Sequence, residues 1–353
     1  MEHMTDNELK NECKVTIGMP LYNVEDYVRQ SLTCALEQDL DNVEILVVDD
    51  CGKDKSLEIV KEIQKNHHKG NSIRIINHHE NLGIGAVRNT ILKEARGKYL
   101  FFLDSDDLIP SFALRVLYTN AETHKAEVTY GSTNVIEEDK TSPFMQLTQR
   151  YLEGEDALVL YIYNDIRENL LNSVWNILIR TDFIRNNNLT FPLYRGGEDW
   201  FFNEQMQPKV TRALLLPDIT YYYRKRPNSL MNFQIRDTIS IREAFGSIRG
   251  IDEKKNYCQA LKYKPYYDRK CAKTMKRAFY SVCGIINHRH QFDGEISNKQ
   301  LRHAMRHPAS LCTILRFKHQ KTLNLLFWFM GELPSNLAVA IVTVFGKRKG
   351  LIR

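Results

Sequence analysis

Three carboxylates crowd into four residues at Asp104-Ser105-Asp106-Asp107, directly after the apolar run Tyr99-Leu100-Phe101-Phe102-Leu103. A run of that length, rich in aromatic residues, reads as a buried strand. Like charges at the end of a buried strand repel and raise each other's pKa unless a cation sits among them. Asp104 and Asp106, at i and i+2, are spaced to offer hard oxygen ligands on one side of a tight turn. The pattern predicts a divalent metal and a site that handles a metal-bound phosphate group, the alternative being a polar turn that caps the next helix. Asp107 reads as the cap of a helix entered through Leu108-Ile109-Pro110. A second acidic pair, Asp49-Asp50, ends the β-branched run Val43 to Val48. A third, Glu198-Asp199, follows Gly196-Gly197, where glycine permits a tight backbone approach.

These clusters need elements to position them. The spacing predicts strands over Val15 to Met19, ended by Pro20, then Val43 to Val48, Ile73 to Ile76, Tyr99 to Leu103 and Val128 to Tyr130. Between them, helical spacing runs from an Asn23 cap through Val24, Val28, Leu32 and Leu36, then over Ser56 to Ile63, Ile84 to Ala95 and Phe112 to His124. This rhythm specifies an α/β fold with a mostly parallel, three-layer sheet. Pro20-Leu21-Tyr22-Asn23, Asp49-Asp50-Cys51-Gly52, Asn81-Leu82-Gly83 and Asp104 to Asp107 each follow a strand. All four polar clusters therefore share the C-terminal edge, where open parallel sheets bind ligands.

Two common nucleotide fingerprints fail. A G-x-G-x-x-G turn belongs after the first strand, but Gly18-Met19-Pro20-Leu21-Tyr22-Asn23 stands there. Gly83-Ile84-Gly85-Ala86-Val87-Arg88 comes late and ends in Arg, and no G-x-x-x-x-G-K-[ST] loop occurs. With 353 residues and 43% hydrophobic content the chain can bury a proper core. A net charge of +6 does not call for nucleic acid but suits an anionic ligand or a membrane surface. Seven cysteines form no C-x-x-C pair, so neither a zinc site nor a disulfide framework is indicated. The polar, acidic stretch Met1 to Lys14 lacks a signal-peptide core, and the expected location is the cytoplasm.

Taken in order, Val15 to Asn23, Val47 to Asp54, Asn81-x-Gly83 with Arg88-Asn89, Leu103 to Asp107 and Gly197-Glu198-Asp199-Trp200 resemble family 2 glycosyltransferases of the bacterial surface-polysaccharide type. The resemblance covers Val15 to Met231. It implies a GT-A fold, a nucleotide-sugar donor, a divalent metal (Mn²⁺ or Mg²⁺) and inversion at the anomeric carbon. By the same resemblance the donor lies against Pro20, Tyr22, Asn23, Asp49, Asp50, Gly83, Arg88, Asp104, Ser105, Asp106 and Arg226. Asp50 or Asp49 resembles the family's uracil-reading aspartate, which favours UDP-sugars, although Cys51-Gly52 stands where Gly-Ser is usual. Tyr22 would stack on or flank the base. Arg88 would meet a phosphate or one of the Asp104 and Asp106 carboxylates. Asp106 is the favoured metal ligand, with Asp104 on ribose or a metal-bound water. Asp199 is the implied general base, with Glu198, Trp200 and Trp175 on the acceptor side. Arg224, Arg226 and Ser229 are candidate cations and donors to the diphosphate, Arg226 foremost.

The expected domains are a tail over residues 1–14, a catalytic domain over 15–232 with a donor half 15–131 and an acceptor half 132–232, and a basic helical region over 233–353. After Leu301, nine Lys or Arg face the single acid Glu332. Leu323 to Met330 and Leu337 to Phe345 are apolar but fall short of the roughly 20 residues that span a bilayer. Followed by Lys347-Arg348-Lys349, they suit attachment to the inner face of a membrane. A glycan or lipid-linked glycan acceptor would make such attachment useful. A nucleotidyltransferase and a scaffold without turnover are the alternatives; a Gly-Glu-Asp-Trp base has no place in the first, and the second leaves both acidic motifs without a task.

Overall fold

A computed structural model describes residues 12–138, 140–164, 170, 173–193, 197–225 and 238–352. The described residues divide into two compact units, within the spans Met1–Leu193 plus Glu198–Ser229 and Tyr194–Gly197 plus Leu230–Arg353.

The first unit is built on one sheet. Strands β1 (Val15–Leu21), β2 (Val43–Asp49), β3 (Ile73–Asn77) and β4 (Tyr99–Phe102) are followed by β5 (Val128–Glu137), β6 (Lys140–Met145), β7 (Arg150–Glu153), β8 (Ile177–Arg180) and β9 (Arg212–Arg224). Their order is β3-β2-β1-β4-β8-β5-β9-β7, with β6 paired to β5. β1 to β4 run parallel, β8 is antiparallel to both β4 and β5, and β5 pairs with β9 in parallel. The period of two divides each central strand between two cores. Ile17, Met19, Ile45, Val47, Tyr99 and Phe101 face one, and Leu46, Val48, Leu100 and Phe102 face the other. On the first face lie α1 (Val28–Leu36), α2 (Ser56–Asn66) and α4 (Ala113–His124). On the second lie α3 (Ile84–Glu94), α5 (Ala157–Asn164), α6 (Thr181–Asn186) and α7 (Glu198–Met206). Helices cover both faces, so near-continuous apolar runs are tolerated in the strands.

Three local expectations are corrected. β1 continues through Pro20 to Leu21, because its outer residues pair with Val48 and Asp49 of β2. The missing N–H of Pro20 lies on the β4 side, beyond the last β1–β4 pair at Gly18 and Phe102, so no ladder bond is lost. Asn23 does not cap α1, which begins at Val28. Its Oδ1 instead accepts from the Lys53 N–H at 2.8 Å. Asp107 caps no helix either, since α4 begins at Ala113.

The second unit is helical: α8 (Ile241–Ala260), α9 (Tyr267–Asn287), α10 (Asn298–Ala304), α11 (Leu311–Leu315), α12 (Lys321–Glu332) and α13 (Ser335–Arg348). It has its own core, with Ile251, Met275, Phe279, Val282, Leu301, Phe327, Met330 and Val342 among the buried side chains. No described helix is long and apolar enough to cross a membrane.

Candidate active site

At the turn after β4 the side chains alternate. Ser105 and Asp107 point inward and are buried, while Asp104 and Asp106 are half-buried. The inward pair fastens the turn. Ser105 Oγ donates to the Pro20 carbonyl at 2.6 Å. Asp107 accepts from Tyr221 Oη at 2.7 Å and from the Arg224 N–H at 2.7 Å, while Tyr221 Oη accepts from the Asp104 N–H at 3.2 Å. Asp107 therefore ties the turn to β9, which explains its burial better than a helix cap. Burial, then Asp106 and Asp104, push its carboxyl well above the usual carboxylate range.

Arg88 on α3 brings three distant carboxylates together. Its Nη1 donates to Glu198 at 3.0 Å and also to Asp199, and its Nη2 donates to Asp104 at 3.3 Å. The guanidinium is buried, and its centre lies 5.6 Å from the ring of Phe191. Burial opposes its charge, but Asp199, Asp104 and Glu198 overcome that cost and hold its pKa above the ordinary value. α3 can come this close because residue 85 is glycine: a Cβ there would stand 2.2 Å from the Pro192 carbonyl oxygen. Asn89 locks the same contact, exchanging two 2.8 Å hydrogen bonds with the Phe191 backbone.

Asp199 lies in the first turn of α7, where a carboxylate is favoured by the helix dipole. Its side chain keeps 21% exposure. Burial raises its carboxyl to about 7, Arg88 pulls it down, and Glu198 and Asp104 push it up. A carboxylate half-protonated near neutrality is matched to proton abstraction.

The loops after β2 and β3 are sewn together by Asp50. Its Oδ1 accepts from the Leu82 N–H at 2.9 Å and meets His78 Nδ1 at 2.8 Å, and its Oδ2 accepts from the Gly83 N–H at 2.8 Å. Gly83, at φ 86°, is the cap residue of α3, a conformation that favours glycine. Asp49 accepts from the Cys51 and Gly52 N–H groups, and burial pushes its carboxyl up. His78 extends the network, its Nε2 lying 2.9 Å from Thr90 Oγ1. Sequence reasoning passed over His78; its place directly after β3, on the C-terminal edge of the strands, was the available signal. It also passed over Tyr221, whose anchoring hydroxyl no local pattern announces.

The remaining candidates have diverse settings. Tyr22 is 46% exposed at the end of β1, open to a flat ligand. Trp175 is buried and stacks on Tyr221 and Tyr223, with centroids 4.7 and 5.6 Å away. Trp200 is buried as well, with 8% of its surface exposed, and so offers little area as a platform. Arg224 turns to α1, stacking 5.4 Å from Tyr27 and donating to Gln30 at 2.7 Å. Arg226 and Ser229 lie outside the described residues.

The donor set at the turn fits a hard divalent cation. Asp107 is engaged by Tyr221 and Arg224, while Asp104, paired with Arg88, and Asp106 stand half-buried at the turn. One or two carboxylates plus phosphate oxygens are the usual way such ions are held. A different trio, Glu37, His67 and His68, brings ligand atoms within 4.8 Å of one another. There His67 Nδ1 accepts from the Lys69 N–H, which leaves its Nε2 as the donor to Glu37 at 3.0 Å rather than a free metal ligand.

Carboxylates from the ends of β4 and α7, gathered by one arginine at the C-terminal edge of the parallel strands β1 to β4, can now be set beside known proteins. Residues 16–187 match the model of glycosyl transferase family 2. This part of the chain is a family 2 glycosyltransferase domain. Glycosyltransferase GlyA of Streptococcus pneumoniae is 31% identical over 223 residues, which cover 62% of this chain and 31% of GlyA. The uncharacterized glycosyltransferase EpsJ of Bacillus subtilis is 30% identical over 61% of this chain and 62% of its own length. The matched segment thus spans less than two-thirds of either relative. In three dimensions, residues 1–349 of Staphylococcus aureus TarS, crystallised with UDP-GlcNAc, superimpose with a TM-score of 0.68 at 20% identity, covering 96% of this chain and 92% of that one. That likeness is one of fold, and the fold of the family 2 domain is GT-A.

Proposed function

We propose that this family 2 protein is an inverting, metal-dependent glycosyltransferase. It moves a sugar from a nucleotide-sugar, UDP-linked, to an acceptor hydroxyl in cell-surface polysaccharide synthesis. The observation that carries the reading is Arg88, which joins Asp104 of the acidic turn to Glu198 and Asp199 of α7. In this reading the one guanidinium holds donor-side and acceptor-side carboxylates at one point. TarS, similar in fold, is crystallised with UDP-GlcNAc, which supports a UDP-linked donor.

In this reading Tyr22 flanks the base, and the Asp49 and Asp50 loops form the base pocket. Asp106 and Asp104 would hold Mn²⁺ or Mg²⁺, which when bound offsets charge on the diphosphate. Asp199 takes the proton from the acceptor hydroxyl as that oxygen attacks the anomeric carbon. The bond to the diphosphate breaks on the opposite face, so configuration inverts. Arg88 holds one oxygen of Asp199, orienting the other for the proton. Glu198, held by the same guanidinium, lines the acceptor side. The test is nucleoside diphosphate release from a panel of donors, with and without Mn²⁺. Mn²⁺-dependent release that falls about 10²–10⁴-fold in Asp199→Asn is the expected result. Release that persists without metal, or an Asp199→Asn variant near wild-type rate, would overturn it.

A further inference from the structure

The last two helices are apolar on two sides. Asn324, Phe327, Met330 and Gly331 of α12 and Ala338, Val339, Val342 and Gly346 of α13 face the core of the second unit. Yet α12 also exposes Leu326 at 41% and Phe329 at 55%, three residues apart. α13 exposes Leu337 at 49% and Val344 at 52%, seven residues apart, with exposed Ala340 between them. These spacings put each pair on one outward helix face. A helix apolar all round normally has a cover on both sides.

The charge around these faces says what kind of cover. Lys321 opens α12, and exposed Lys347, Arg348 and Lys349 close α13. Just before α12, Arg316 and Lys318 line a groove of about 360 Å³ with Lys262 and Lys264. Asp268 in that groove is engaged by the His319 backbone and ring.

We infer that the outward faces of α12 and α13, with their basic ends, form a docking surface for an anionic lipid bilayer. Exposed Phe, Leu and Val side chains enter the headgroup boundary, and each nearby Lys or Arg adds attraction to an anionic leaflet. A purely anionic polymer would leave the apolar faces uncovered.

The test is co-sedimentation of the full chain with phosphatidylcholine vesicles, with and without phosphatidylglycerol. The protein is expected to pellet with the anionic vesicles, less so as salt rises. Phe329→Ser with Val344→Ser is expected to weaken that binding by about tenfold or more. Lys347→Glu with Lys349→Glu is expected to abolish the preference for anionic lipid. Both variants change exposed side chains, so circular dichroism and the melting temperature stay at wild-type values. No binding to either vesicle, or binding untouched by both variants, overturns the inference. So does a dimer seen by light scattering that disappears in Phe329→Ser with Val344→Ser while vesicle binding is absent, because the face then closes on a second copy.

Discussion

At the residue scale, the arrangement around Arg88 is a buried cation with three acidic partners. Removing one member of such a cluster strands the others. Arg88→Met leaves Asp104, Glu198 and Asp199 without their cation, and it is expected to cost about 3–5 kcal/mol in denaturant unfolding. The loss should be larger at pH 8 than at pH 5, because protonation relieves the stranded carboxylates. The pH dependence of catalysis follows from Asp199. Its carboxyl is raised to about 7, so it is protonated below that pH and cannot accept a proton. The plot of kcat/KM is therefore expected to be flat above about 7 and to fall tenfold per unit below it. A profile flat down to pH 5 would remove Asp199 from the role of base.

At the element scale, the acidic turn is held by strand β9 rather than by the helix that follows it in sequence. The Tyr221 hydroxyl accepts from the Asp104 N–H and donates to Asp107, so it fixes both ends of the motif. Tyr221→Phe keeps the stacking against Trp175 and deletes only the hydroxyl. The expected cost is about 1–3 kcal/mol of stability, for a buried carboxylate that loses a donor. A drop in kcat with little change in donor binding should accompany it, read by steady-state kinetics and donor titration. Unchanged stability and kcat would mean that Asp107 anchors the turn without Tyr221. The first four strands and their helices were legible in sequence, because each strand alternates between two cores and each helix carries one apolar stripe. The antiparallel β8 was not: Ile177–Arg180 is four residues long and joins β4 to β5 only through the three-dimensional sheet. Asn23 and Asp107 were misread as caps for a related reason. Both residue types satisfy backbone N–H groups wherever they find them, and here the partners are Lys53 and Arg224.

At the scale of the whole molecule, two units with separate cores carry the two proposals. Ligand binding to the folded state stabilises the part it binds, by about 2.7 kcal/mol at a hundredfold excess over Kd. UDP with Mn²⁺ is therefore expected to raise the calorimetric transition of the first unit and leave that of the helical unit in place. A shift confined to the helical unit would contradict the assignment of the donor site. Sequence by itself determined the α/β class, the shared C-terminal edge of the polar loops and the order of the acidic motifs, because periodicity and turn chemistry are local properties. Only the tertiary structure decided that Arg88 gathers Asp104, Glu198 and Asp199, that Asp50 ties the β2 and β3 loops, and that α12 and α13 leave apolar faces outward. Those facts depend on which distant segments pack together. A charge or an apolar face acquires its meaning from the partner the fold brings to it, or leaves away.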